Sequence, residues 1–203
     1  NFPDGFWEKM RQQDIGLNYG DPGWVNKISN QINDPSRDTQ LEFNIPVLLG
    51  KYSDASNTYF NASEFQNMLF GTNSSGSMKE YYNEISYGNF QVDGSAGGWY
   101  QSSLTMSQAV ENTRQYVAEI AALADPDFDY GQYDNDGPDN IPNSGDDDGL
   151  TDGIIVVFPG CMSGNDNIWP HQSSLSSYEY VTNDASANGG NITISTYMVC
   201  PEL

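Results

Sequence analysis

The sequence predicts an α/β domain, and three observations carry that expectation. Residues 153–158 read Gly-Ile-Ile-Val-Val-Phe, a continuous apolar run bounded by Gly and Pro, as a central strand buried on both faces requires. Upstream, three segments open with Asn, Ser or Thr, followed three residues later by Glu or Gln and then by apolar residues, which is how capped helices begin. Strand-like and helix-like segments alternate, so a mixed, twisted sheet backed by helices follows.

Residues 1–40 are polar and rich in Asn, Asp, Gly and Pro, with one short helical pattern near 6–13. They read as an N-terminal extension of a domain spanning 41–203. Residues 41–49 form the first strand, and Pro46 argues for a strand start or an edge because it donates no ladder hydrogen bond. The three cap pairs are Asn61 with Glu64, Ser77 with Glu80, and Thr105 with Gln108. The last opens the longest helix, in which Val110, Val117, Ile120, Ala121 and Ala124 share one face and Asp125-Pro126 ends the run. A short strand is expected over 89–93, then the central strand, then strands over 178–182 and 191–199.

Charge narrows the partners. The 203 residues hold 28 acidic side chains against seven basic ones, a formal charge of −21. Such a surface repels nucleic acid and anionic membranes, and no apolar stretch reaches membrane-spanning length. Arg114 is the last Lys or Arg, and ten carboxylates fall within 125–152. A run this dense with no basic neighbour is either solvated and self-repelling or neutralised by an ion.

The loop supports the second choice. It reads Asp134-Asn135-Asp136-Gly137-Pro138-Asp139 and, after a short insert, Asp146-Asp147-Asp148-Gly149-Leu150-Thr151-Asp152. Calcium takes six to eight hard oxygens, which carboxylates at alternate positions beside a turn-forming Gly supply. Asp134 with Asp136 and Asp146 with Asp148 alternate in this way, Asp139 lies in the first of these stretches, and Asp152 stands just before the strand, so Asp134, Asp136, Asp139, Asp146, Asp148 and Asp152 are the expected calcium ligands. The broken spacing and the missing closing Glu distinguish the loop from an EF-hand.

Cys161 and Cys200, an even pair in a chain poor in Lys and rich in Asn, Ser, Gly and Tyr, point to a secreted protein with one disulfide; two buried thiols are the alternative. Catalytic motifs are missing. His171 is the sole histidine, no His-Glu-x-x-His occurs, and no serine lies in a Gly-x-Ser-x-Gly context. His171 reads as a structural histidine hydrogen-bonded near a strand end.

Several segments together resemble a known family. Ile45-Pro46-Val47-Leu48-Leu49 followed by Phe65-Gln66-Asn67-Met68-Leu69-Phe70-Gly71 is similar to the opening of the immune-inhibitor-A-type secreted metallopeptidases. So are Ser77-Met78-Lys79-Glu80-Tyr81-Tyr82-Asn83-Glu84-Ile85-Ser86-Tyr87-Gly88, Gly98-Trp99-Tyr100, the two Asp-rich stretches, and Ile168-Trp169-Pro170-His171. The resemblance runs in the family's order over residues 45–202. It implies the upper, sheet-bearing half of a zincin-like catalytic domain, with the acidic loop as a structural calcium site and a polypeptide substrate held along an edge strand. Residues 191–199 are the candidate strand, with Ile194 and Thr196 on it. The family's zinc helix has no counterpart here, so zinc is implied only for a full-length enzyme whose peptidase domain continues beyond Leu203.

Two function classes follow. The first is the N-terminal portion of a secreted, calcium-stabilised zinc endopeptidase, inactive as this chain alone. The second is a non-enzymatic, calcium-stabilised extracellular surface or assembly module. A weaker third is carbohydrate binding through Trp99, Tyr100 and Trp169, because aromatic faces pack on sugars.

Overall fold

A computed structural model describes residues 41–161 and 168–203. The expected extension over 1–40, with its short helix, lies outside the described residues. Elements follow in the order β1 (Leu41–Lys51), α1 (Ala62–Phe70), α2 (Met78–Ile85), β2 (Phe90–Gln101), α3 (Met106–Glu111), α4 (Thr113–Ala124), β3 (Ile154–Phe158), β4 (His171–Ser174), β5 (Tyr180–Ala185), β6 (Asn191–Ile194) and β7 (Thr196–Pro201). Five strands form one sheet in the order β2-β1-β3-β7-β4, and β5 and β6 form a separate antiparallel hairpin. All pairings in the large sheet are parallel except that of β4 with β7. The α/β expectation and the mixed sheet are what the structure shows.

Both faces of the sheet are covered. On one, Val117, Ile120, Ala121 and Ala124 of α4 pack with Leu48, Ile154, Val156 and Phe158 and with Ile192 and Ile194 of the hairpin. On the other, Phe65 and Phe70 of α1 pack on Ile45, Val47, Leu49, Val92 and Val157. β3 therefore feeds both clusters, which is why its sequence is apolar without alternation. Each fully buried Val, Leu, Ile or Phe contributes about 2 kcal/mol, so these two layers dominate the fold's stability.

Local signals hold where a cap defines them. Asn61 with Glu64 and Thr105 with Gln108 close complete capping boxes. Ser77 accepts the Glu80 N–H at 3.1 Å, but the Glu80 carboxylate accepts from Asn73 N–H instead of closing the box. Pro46 sits one residue before the β1–β3 ladder, which begins at Val47. Its missing donor therefore lies where β1 has only β2 beside it.

Three elements differ from the sequence reading. The helix expected from Thr105 to Ala124 is two helices, because Asn112 leaves helical geometry at φ −140° and its side chain caps α4 by accepting Gln115 N–H. Val110, expected on the buried face, is exposed on α3. The strand expected over 89–93 runs on to Gln101 through Gly94, Gly97 and Gly98. Glycine is a weak strand former, yet here the backbone is roofed by neighbours: a Cβ on Gly94 would lie 2.0 Å from the Ile45 carbonyl oxygen, and one on Gly97 2.7 Å from the Phe128 ring. The 191–199 strand breaks at Ser195 into β6 and β7, which belong to different sheets.

The cysteines are corrected too. Cys161 and Cys200 are free thiols, not a disulfide. On β7, Cys200 pairs with Val157 of β3 and packs against the second cluster, whereas Cys161 is exposed three residues past the end of β3. Burial pushes the Cys200 thiol up to about 11. At pH 8 roughly one Cys200 in a thousand is then thiolate, so it is a poor nucleophile. A thiol-specific chromogenic reagent at pH 8 is expected to titrate one cysteine within minutes and the second only in guanidinium. No reactive thiol before or after denaturation would restore the disulfide.

Candidate metal centre and sheet edge

The acidic loop leaves α4 through a single 3₁₀ turn at Asp125–Asp127 and a second at Tyr130–Tyr133. Phe128 stacks on Tyr130, Tyr133 meets both rings at an angle, and all three bury in the first cluster, so the loop's first half is anchored by aromatic packing. Polar ties reinforce it. Buried Asp125 accepts the Tyr180 hydroxyl at 2.9 Å and Asn183 N–H at 3.1 Å, and Asp184 accepts Tyr130 N–H at 2.7 Å. Burial, with the charges of Asp129 and Asp125, holds the Asp184 carboxyl above its ordinary value of 3.8. The folded state thus binds this proton more tightly than the unfolded chain, and stability contributed here falls as pH rises through that interval. Asp184→Asn, which keeps an acceptor for Tyr130, is expected to flatten the decline; an unchanged pH profile of the melting temperature would contradict it.

Asp134, Asp136 and Asp147 converge, each offering a carboxylate oxygen within 4.8 Å of the others. Asp134 and Asp147 are buried and Asp136 half-buried. Asp134 accepts Gly149 N–H at 3.0 Å, and Asp147 accepts Gly137 N–H at 2.7 Å and Ser144 N–H at 2.6 Å. Two further oxygens, Asn135 Oδ1 and Thr151 Oγ1, are buried with no hydrogen-bond partner in residues that are 7% and 3% exposed. Buried polar atoms are almost always satisfied, so two orphans in the same loop as three clustered carboxylates are consistent with a cation held by that loop. Gly137 lets the backbone pass close to Asp146, since a Cβ there would lie 2.7 Å from the Asp146 carboxylate, which would have to swing aside.

Of the six aspartates expected as ligands, two join this cluster. Asp139 and Asp146 gather outside it around the Ser144 hydroxyl, with Asp139 N–H donating to Asp146 at 3.3 Å. Asp148 turns back to accept Leu150 N–H at 2.9 Å. Asp152 accepts Asn135 N–H, a long bond at 3.4 Å, at the threshold of β3. Asp147, the member missed, lies in a turn, where the period of two that selects Asp146 and Asp148 does not apply.

The sheet edge needs a second correction. Residues 191–199 contain no edge of the large sheet: Ile194 is wholly buried in the first cluster, and Thr196 opens β7, which lies between β3 and β4. The sheet ends in β2 on one side and β4 on the other, and the edge next to β7 is β4, antiparallel to it with Gln172 opposite Met198 and Ser174 opposite Thr196. Just past it, Leu175 N–H donates to Ser195 at 2.7 Å. Antiparallel bonding alternates, so His171, Ser173 and Leu175 bond inward and the N–H and C=O of Gln172 and Ser174 face away from the sheet. His171 fixes the start of β4 as the structural histidine expected: Nδ1 meets the Trp169 carbonyl at 2.6 Å and Nε2 the Tyr197 hydroxyl at 3.1 Å. At the other end Arg114 Nε donates to the Ser174 carbonyl at 2.9 Å.

The aromatic trio does not form a sugar platform. Trp99 and Tyr100 are successive strand residues on opposite faces, one packed in the second cluster and the other against the first.

Two comparisons bear on these features. A family model described as the immune inhibitor A peptidase M6 catalytic domain matches residues 37–202. No curated protein matches the sequence.

Proposed function

The chain belongs to the immune inhibitor A peptidase M6 family, within its catalytic domain, and from that premise we propose that it is the sheet-bearing half of a secreted, calcium-braced zinc endopeptidase domain. The observation that carries the reading is the pairing of this family match with an antiparallel edge strand whose outward backbone groups can receive an extended polypeptide. Calcium fits the cluster of Asp134, Asp136 and Asp147, whose hard carboxylate oxygens converge in a loop that also holds the buried neutral oxygens Asn135 Oδ1 and Thr151 Oγ1. It would neutralise the loop and brace the start of β3.

Zinc, which the family implies, does not fit the donors of these residues. A catalytic zinc takes three protein ligands, commonly two of them histidines, and His171 is the sole histidine with both ring nitrogens engaged. The reading therefore assigns zinc ligands and general base to polypeptide beyond Leu203, and the described residues to holding substrate and stiffening the sheet. No helix among the described residues is long and apolar enough to cross a membrane. The same shortage of zinc donors favours a second reading, a non-enzymatic calcium-stabilised surface module.

Proteolysis separates the two. Pure residues 1–203 supplied with zinc are expected to leave casein intact. The native gene product, read through Leu203, is expected to cleave casein and to lose that activity to a zinc chelator. Cleavage by residues 1–203 would overturn the division of labour, and no chelator-sensitive cleavage by the native product would leave the surface-module reading standing.

A further inference from the structure

The outer rim of β4 carries one more feature that the peptidase reading leaves unused. Arg114 stands in the first turn of α4 and is exposed, and only its Nε is spent, on the Ser174 carbonyl. Among the described residues the ion pair formed is Lys79–Asp93, on the far side of the sheet at α2 and β2, so the Arg114 guanidinium has no carboxylate of its own. In a chain of charge −21 this is unusual, because Arg114 is also the last Lys or Arg in the sequence. Its field reaches the sheet: it acts on the Tyr197 hydroxyl, opposing the upward push of burial.

We infer that Arg114 is a specificity-determining residue that selects an acidic side chain, Asp or Glu, in an extended polypeptide paired with β4. The inference rests on the proposal that β4 receives substrate. Gln172 turns both its N–H and C=O outward, and Ser174 turns out its N–H, while the Ser174 carbonyl is covered by Arg114. An added strand therefore finds three backbone partners and then meets the guanidinium, which sets where the ladder stops. The residue beside Ser174 lies against the remaining Nη atoms. A guanidinium bound through Nε still presents its other N–H groups as a fork, which matches a carboxylate in bidentate geometry. In a chain of charge −21, a cation with no carboxylate partner at the sheet edge gives an acidic side chain a fixed position and not merely affinity.

The test uses residues 1–203 and fluorescein-labelled, C-terminally amidated β-prone octapeptides in which a single Glu, or a Gln in its place, is moved through each position. Amidation removes the terminal carboxylate as a competing source of charge. By fluorescence anisotropy at low salt, one position is expected to favour Glu over Gln by about threefold to tenfold, with the preference shrinking as salt is added. In Arg114→Gln the ratio is expected to fall to about one, and in Arg114→Lys to be partly kept, with far-ultraviolet circular dichroism confirming that both variants fold. Equal binding of Glu and Gln peptides, or a preference that survives Arg114→Gln, overturns the role of Arg114 while leaving β4 as a strand acceptor. No binding of any peptide overturns the strand-acceptor reading and this inference together.

Discussion

Stripping calcium with EDTA is expected to lower the melting temperature of residues 1–203 by about 5–10 °C relative to millimolar calcium. The magnitude follows from linkage: an ion at a hundred times its dissociation constant stabilises by about 2.7 kcal/mol, and for a chain of this size each kcal/mol is worth about 2–4 °C. The cause is local. Asp134, Asp136 and Asp147 stand within 4.8 Å of one another, and like charges so close in partly buried surroundings repel unless a cation lies between them. Asp136→Asn and Asp147→Asn are each expected to abolish most of the calcium-dependent shift. Asp146→Asn, whose carboxylate lies outside the cluster, is expected to keep it. Differential scanning calorimetry with and without EDTA, and with magnesium in place of calcium, decides the matter. A transition indifferent to EDTA would rule out the site.

Glu202→Ala is the second large effect, with an expected loss of about 3 kcal/mol, or about 6–12 °C in melting temperature. Glu202 is a buried carboxylate at the end of β7. Oε1 accepts the N–H groups of Tyr59 and Phe60, Oε2 accepts Gly160 N–H, and the residue's own N–H donates to the Phe158 carbonyl at 2.9 Å. One side chain thus ties the loop after β1, the turn after β3 and the last strand into a single knot. Truncation takes the shared acceptor from three partly buried backbone donors and opens the space the side chain fills, so the loss exceeds that of one ordinary hydrogen bond. Glu202→Gln, which keeps one acceptor and points a donor at other donors, is expected to fall between the two. A melting temperature within 1 °C of the native chain, on the scale of a surface substitution, would show the knot to be incidental.

Legibility in the sequence followed the range of the forces involved. The capped starts of α1 and α3 were readable because a cap is decided by four consecutive residues. β3 was readable because burial on both faces leaves no polar position to confuse the pattern. What escaped depends on distant neighbours. The Gly-rich half of β2 is a strand because Ile45 and Phe128 close over it, and neither lies near it in sequence. The partition of 191–199 between two sheets is set at Ser195 by pairing with β5 and β3, which nothing in Asn-Ile-Thr-Ile-Ser-Thr announces. In the metal cluster, Asp134 and Asp136 were visible by spacing, whereas Asp147 enters through a turn that brings residues eleven and thirteen apart in sequence together. Arg114 was noted as the end of the basic residues, but its place beside the sheet edge required the fold.

The acidic loop is pinned shut at its base, since Asp152 N–H donates to the Tyr133 carbonyl at 2.7 Å. Its two ends therefore meet at one point before β3 begins, and Gly149 and Thr151 are tied to Thr193 of β6, so the loop is anchored at its base and along its second half. A loop closed in this way tolerates added length at a cost that grows only logarithmically. The outward tip near Gly145, where a side chain would meet open space, is thus a natural graft site. An environment-sensitive fluorophore placed there would sit a few residues from the carboxylate cluster without touching the core, turning the segment into an optical reporter of its own ion occupancy.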